Sequence, residues 1–217
     1  MDLEEVWRVR EEEVYPALFS CPGRGIFTLS GDIFKKTLEQ ESYDLFWLFY
    51  GVIEFAPVAD RAHWIYVTSG YSNPWEQEPE EYDANGESGG GVEFLLQTSE
   101  GGDWAIRCLQ HLLAYDLLLS AGRYPGRPPL MPGTRVALRA PINGEESCLV
   151  RNMVAVEPEG APAGFSLPSG KVKFLAFTGA TDGEIEFAKQ NQSSSLIEAL
   201  RAAGYHPVTN PRRPSLY

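Results

Sequence analysis

Apolar positions along the chain repeat with two different periods. Leu3, Val6, Trp7 and Val14 recur at helical spacing among Glu4, Glu5, Glu11, Glu12 and Glu13, which predicts an opening helix with one buried stripe. Pro16, Pro22 and Gly23 are expected to break it, and a short second helix is expected from Asp32 to about Gln40. The run DLFWLFYGVIEF, Asp44 to Phe55, is dense in aromatic and β-branched residues. It reads as a buried strand with an interruption at Gly51. HWIYVTS, from His63 to Ser69, is the next strand, and its alternation puts Trp64 and Tyr66 on one face and Ile65 and Val67 on the other.

A long loop is expected from Asn73 to about Gly90, carrying EQEPEEYDANGESGGG without hydrophobic periodicity. VEFLLQT, Val92 to Thr98, returns as a strand. Ala105, Cys108, Leu109, Leu112, Tyr115, Asp116 and Leu119 then trace a helical face that Gly122 stops. After the connector RYPGRPPLMPG, the segments VALRAPI, CLVRNMVAVEP and KVKFLAFTG read as strands. Thr181 with Glu184, and Ser195 with Glu198, fit the S/T-x-x-E capping pattern, predicting helices at about 181–190 and 194–203. The tail HPVTNPRRPSLY, about 206–217, reads as extended. Strands with long connections and helices at both ends and in the middle predict an α+β fold, with a central mixed sheet flanked by helices in one domain over 1–217.

Composition then narrows the function classes. The chain has 217 residues, 43% of them hydrophobic, enough for a sizeable core. No apolar run reaches the roughly 18 residues of a membrane helix, and the acidic start is unlike a secretory signal, so a cytoplasmic location is expected. Cys21, Cys108 and Cys148 are odd in number and widely spaced, as are His63, His111 and His206. Reduced thiols, no metal and no cofactor are therefore expected. Thirty acids against 18 bases give a net charge of -12, which repels nucleic acid and anionic lipid and steers cationic partners inward.

Three motifs invite chemistry. Gly70-Tyr71-Ser72-Asn73-Pro74 begins like a G-x-S-x-G nucleophile elbow, but it lacks the second glycine and the following helix. Gly89-Gly90-Gly91 precedes a strand and contains no lysine, so it reads as a flexible hinge rather than a phosphate loop. Glu93, between Val92 and Phe94, faces opposite to both and is expected to line a groove or to face solvent. Aromatic rings at Tyr71 and Trp75 beside an acidic loop fit a protein-binding surface better than a catalytic pocket.

The stretch HWIYVTSGYS, His63 to Ser72, resembles the signature of the suppressor of fused family, in its N-terminal-type domain. Supporting matches follow in order. They are Gly91-Val92-Glu93-Phe94, the L-x-x-L-L-A-Y element from Leu109 to Tyr115, Pro141, Val156-Glu157-Pro158, and Pro168 to Phe174. Gly179, Thr181 and Glu184, and then Thr209 to Ser215, complete the series. The resemblance implies a mixed sheet with flanking helices, no known enzymatic activity, and protein partners. Animal members clamp an extended peptide of a transcription factor between two similar domains, by strand addition. The family's peptide-contacting tyrosine falls at Trp75, and its contacting aspartate falls near Asp83 or Asn85. One domain of this length resembles the bacterial members, for which an immunity role against toxins is proposed.

The expectation is thus a non-enzymatic protein-binding domain, an immunity protein that neutralises a basic polymorphic toxin, with neither nucleic acid nor membrane as partner. The binding residues expected are Tyr71, Trp75, Glu76, Glu78, Glu80, Glu81, Asp83, Glu87 and Glu93. The alternatives are a regulatory scaffold that takes a transcription-factor peptide strand, and a serine hydrolase using Ser72 or Ser69 with His63 or a distant histidine.

Overall fold

The computed structural model describes residues 2–217. Its strands are β1 (Arg24–Thr28), β2 (Gly51–Phe55), β3 (Trp64–Ser69), β4 (Glu87–Thr98), β5 (Arg135–Ala137), β6 (Val150–Val156), β7 (Gly164–Leu167) and β8 (Gly170–Thr181). They form one mixed sheet in the order β1-β2-β3-β4-β8-β6-β5, with β7 paired to the first part of β8. The central β4–β8 pair is parallel and the other pairings are antiparallel. The helices are α1 (Leu3–Arg8), α2 (Tyr15–Phe19), α3 (Asp103–Ser120) and α4 (Asp182–Ala202).

Period-2 alternation splits the core into two layers. Val52, Tyr66, Phe94 and Leu96 point to the face covered by α3, where they pack with Leu109, Leu112 and Leu113. Ile53, Phe55, Ile65, Val67 and Leu95 point to the other face, with Tyr15, Phe19, Leu196 and Leu200 from α2 and α4. Because both faces are covered, the central strands carry buried apolar residues on both sides. The α+β architecture and the predicted opposition of Trp64 and Tyr66 to Ile65 and Val67 both hold.

Several elements differ from expectation, each for a local reason. Pro16 does not break the first helix, because a π-helical stretch, Val9–Val14, joins α1 to α2. Pro16 falls in the first turn of α2, where its missing N–H costs little, and Ser20 (φ 60°) ends the helix. The helix expected at 32–40 is a π-helical turn, Ile33–Thr37.

The expected strand at 44–55 begins only at Gly51. Asp44 caps Phe46 N at 2.9 Å and turns Leu45–Phe49 into a 3₁₀ helix. A Cβ at Gly51 would lie 2.6 Å from Ile26, so only glycine lets β1, a strand not foreseen, pair there. β7 was likewise unforeseen, and VALRAPI contributes only the three residues of β5.

The C-terminal third is fixed by side chains. Thr181 and Glu184 form the predicted capping box. The two expected helices are halves of α4 separated at Gln192 (φ 71°, ψ 157°), but Ser195 does not start the second half; Ser193 Oγ bonds Gly133 O at 2.8 Å beside the kink. The tail is pinned to the sheet and to α4. Thr209 exchanges backbone bonds with Gln97 and Ser99, while Arg213 donates to both carboxylate oxygens of fully buried Glu184 at 2.6 Å.

Candidate functional site

The chain leaves β3 through the turn Gly70–Trp75, which closes with Asn73 N donating to Gly70 O at 3.0 Å. Gly70 (φ 129°) sits against Tyr50, where a Cβ would come within 2.8 Å of backbone. Glu93 organises this turn from the neighbouring β4. Its Oε1 accepts from Gly70 N at 3.0 Å, Ser72 N at 2.9 Å and Ser72 Oγ at 2.6 Å, and Oε2 accepts from Thr68 Oγ1. Arg10, reaching in from the N-terminal helix, donates to Ser72 Oγ at 3.1 Å and Asn73 Oδ1 at 2.7 Å, with Nη1 3.9 Å from Glu93. Trp7 Nε1 donates to Asn73 Oδ1 at 2.9 Å.

Glu93 is therefore neither groove-lining nor solvent-facing, which corrects the sequence expectation for that residue. It is wholly buried and spends its acceptors on the turn's own donors.

The glycine run is also reassigned. Gly89-Gly90-Gly91 belongs to β4, at a bulge between Glu87 and Val92 that lies directly over the turn. Gly90 N donates to Tyr71 O at 3.0 Å, and a Cβ at Gly89 (φ 53°) would sit 2.2 Å from Asn73 O. The expected loop is thereby shortened, and its middle is ordered by a 3₁₀ turn, Pro79–Glu81, whose ends Glu78 and Glu81 cap each other.

On this frame the remaining expected residues have distinct environments. Tyr71 is half-buried against Tyr50 and Phe94, and its hydroxyl donates to Asp116 at 2.7 Å. Burial, followed by the Asp116 charge, pushes the Tyr71 phenol well up; burial also raises the Asp116 carboxyl, against the bonds from Leu130 N and Tyr71. Trp75 is half-buried and touches Trp7 edge-on at 5.8 Å, Phe46 at 5.0 Å and Phe49 at 6.0 Å. Glu76, Glu78, Glu80, Glu81, Asp83 and Glu87 are exposed, and no ion pair engages them among the described residues.

Phe46 and Phe49, 53% and 58% exposed, join Trp75 on the surface, as does their neighbour Leu45 at 70%. Sequence reasoning missed these three by extending a strand through them. The usable signal was Asp44, a capping residue ahead of LFWLF.

The serines of the hydrolase reading sit elsewhere in the hydrogen-bond network. Ser72 is fully buried on Glu93, and Ser69 Oγ donates to Glu11 at 2.6 Å. Among the described residues neither serine bonds a histidine, and no cluster of His, Cys, Asp or Glu suits a metal. No described helix is long and apolar enough to cross a membrane.

Comparison with known proteins places this arrangement. The family model described as "Suppressor of fused protein (SUFU)" matches residues 48–214. No curated protein matches the chain. Among solved structures, a SUFU homolog from Neisseria gonorrhoeae superposes with TM-score 0.63 at 16% identity, covering 96% of both chains. The Sufu-Fu complex crystal structure matches with TM-score 0.57 at 20% identity over 76% of each chain. Drosophila Suppressor of Fused gives the same score and identity over 76% of this chain and 42% of its own. The structures share the fold, and the matched span includes the turn, the β4 glycines, Glu93, Glu184 and Arg213. The chain belongs to the suppressor of fused family.

Proposed function

We propose that this chain acts as one non-enzymatic protein-binding unit in the cytoplasm, engaging a basic protein through the face around Tyr71, Trp75 and the acids from Glu76 to Glu87. In its finer form, the partner is a bacterial toxin domain and the chain is its immunity protein. The supporting observation is the acidic segment itself. Six exposed carboxylates without an ion-pair partner are carried on a segment ordered by a capped 3₁₀ turn and by β4, beside a half-buried tryptophan. Ordered like charges are unfavourable in isolation, and a cationic partner relieves them while gaining on-rate. A basic nuclease domain, whose own cationic cleft would be covered, fits that chemistry better than nucleic acid or anionic lipid. Glu93 supports the face from beneath rather than touching the partner.

The direct experiment is calorimetry against the purified product of the neighbouring reading frame, at low and high salt. Binding is expected to weaken with salt, and Trp75→Ala or reversal of Glu76, Glu78 and Glu80 to lysine should weaken it by about tenfold or more. Unchanged affinity in both variants would remove the face assignment. The scaffold reading, in which a peptide adds as a strand, is favoured by β1 and β5, which end the sheet on either side. Binding that is indifferent to Trp75 and lost when β1 carries a proline would select it.

A further inference from the structure

Leu45, Phe46 and Phe49 are exposed on a surface that the reading above did not need. Their helix is held rigidly: Asp44 caps its start, while Trp47 and Leu48 turn inward onto the α3-side core, Trp47 lying 5.5 Å from Phe34. Through Trp75 the exposed rings continue to Trp7 on α1, making one strip of aromatic edges across three separate segments. Exposed rings grouped this way are the usual apolar centre of a protein contact.

The charges around the strip are mostly of one sign. Asp44 precedes it, Glu76, Glu78 and Glu80 follow Trp75, and Glu4 lies one turn before Trp7, all exposed. The cations on the neighbouring turn are already engaged, Lys35 over the Tyr43 ring and Lys36 on Asp32.

We propose that the Leu45–Phe49 ledge, continued by Trp75 and Trp7, is the apolar anchor for a protein segment that presents large aliphatic or aromatic side chains flanked by lysine or arginine. The proposal rests on the acidic-face reading and gives its partner a hydrophobic requirement that charge alone would not impose. A second copy of this chain fits poorly, because pairing the strips would oppose the same carboxylates. Anionic lipid is repelled for the same reason.

The full-length chain tests this with labelled 18-residue helical peptides. One carries a leucine face and lysines, and the other has serine at each leucine position with the same charge. Fluorescence anisotropy on the wild type is expected to show roughly tenfold tighter binding of the leucine peptide. Leu45→Ser/Phe46→Ser/Phe49→Ser should abolish that preference while keeping weak, salt-sensitive binding of both peptides. Since all three side chains are exposed, circular dichroism should be unchanged, and Phe46→Glu alone provides a second, smaller perturbation in the same direction.

A leucine preference that survives the triple substitution overturns the ledge and leaves the acidic face standing. Loss of the preference without any effect of the Glu76, Glu78 and Glu80 reversal overturns the cationic flank, and the acidic face with it. Wild-type dimerisation in sedimentation velocity that the triple variant abolishes would assign the ledge to a second copy. Ledge-dependent binding to phosphatidylcholine vesicles would assign it to lipid. Either result overturns the proposal.

Discussion

Two buried carboxylates hold the parts of this molecule that carry the family's motifs. Glu93 gathers the amides and hydroxyls of the turn after β3, and Glu184 gathers Arg213, Thr181 N and Leu216 N at the C-terminal tail. Glu93→Ala leaves two amides and two hydroxyls without an acceptor and leaves Arg10 with Glu11 as its one remaining carboxylate partner among the described residues. It should cost about 3–5 kcal/mol in urea denaturation. Glu184 adds a pH signature. Burial acts to raise its carboxyl, but the Arg213 bond and the amides of Thr181 and Leu216 prevail, and the folded-state value is lowered. The stability this contributes is complete above the unfolded value of about 4.3 and is lost as pH falls through the lower folded value. Glu184→Gln should therefore be clearly less stable than wild type at pH 7, with the gap narrowing below about pH 4.

At the scale of elements, glycine placement and strained backbone decide where the chain can go. The β4 glycines were legible as a break in the pattern but not as a bulge. Gly89 and Gly90 are glycines because Tyr71, Ser72 and Asn73 pass directly beneath them, and Gly91 because its φ is 66° and the Glu87 side chain lies against it. Gln192 carries the opposite lesson. Its φ of 71° and ψ of 157° lie in a region that side chains disfavour, costing about 1–3 kcal/mol. Gln192→Gly should relieve that strain and raise stability by about 1 kcal/mol after the entropy of glycine is subtracted, measurable as an upward shift in Tm. A fall in Tm would mean that the kink is not strained. The 3₁₀ ledge was misread because LFWLF runs on into YGVI with no charged residue between them, and periodicity alone cannot separate a buried strand from an exposed ledge.

For the whole molecule the net charge of -12 acts on stability as well as on partners. Its unpaired acids crowd one segment, so self-repulsion should be partly screened by salt. Tm is expected to rise on going from low to moderate sodium chloride, and the Glu76, Glu78 and Glu80 reversal should shrink that rise. A flat salt dependence would show that these acids are far enough apart not to interact.

The central strands, α3 and the Thr181 cap were readable from sequence, because period-2 and period-3.6 burial and local capping are short-range rules that leave a direct trace in residue spacing. The motif residues also identified the family, although their spacing did not say what they do. Only the tertiary structure decided that Glu93 is internal, that the glycine run is a bulge and that Phe46 and Phe49 remain outside. Each of those outcomes depends on segments far apart in sequence, Arg10 and Trp7 on the turn, residues 70–73 under β4, and Trp75 against the ledge. Burial at such positions is set by which segment arrives to cover them, and no local pattern records that arrival.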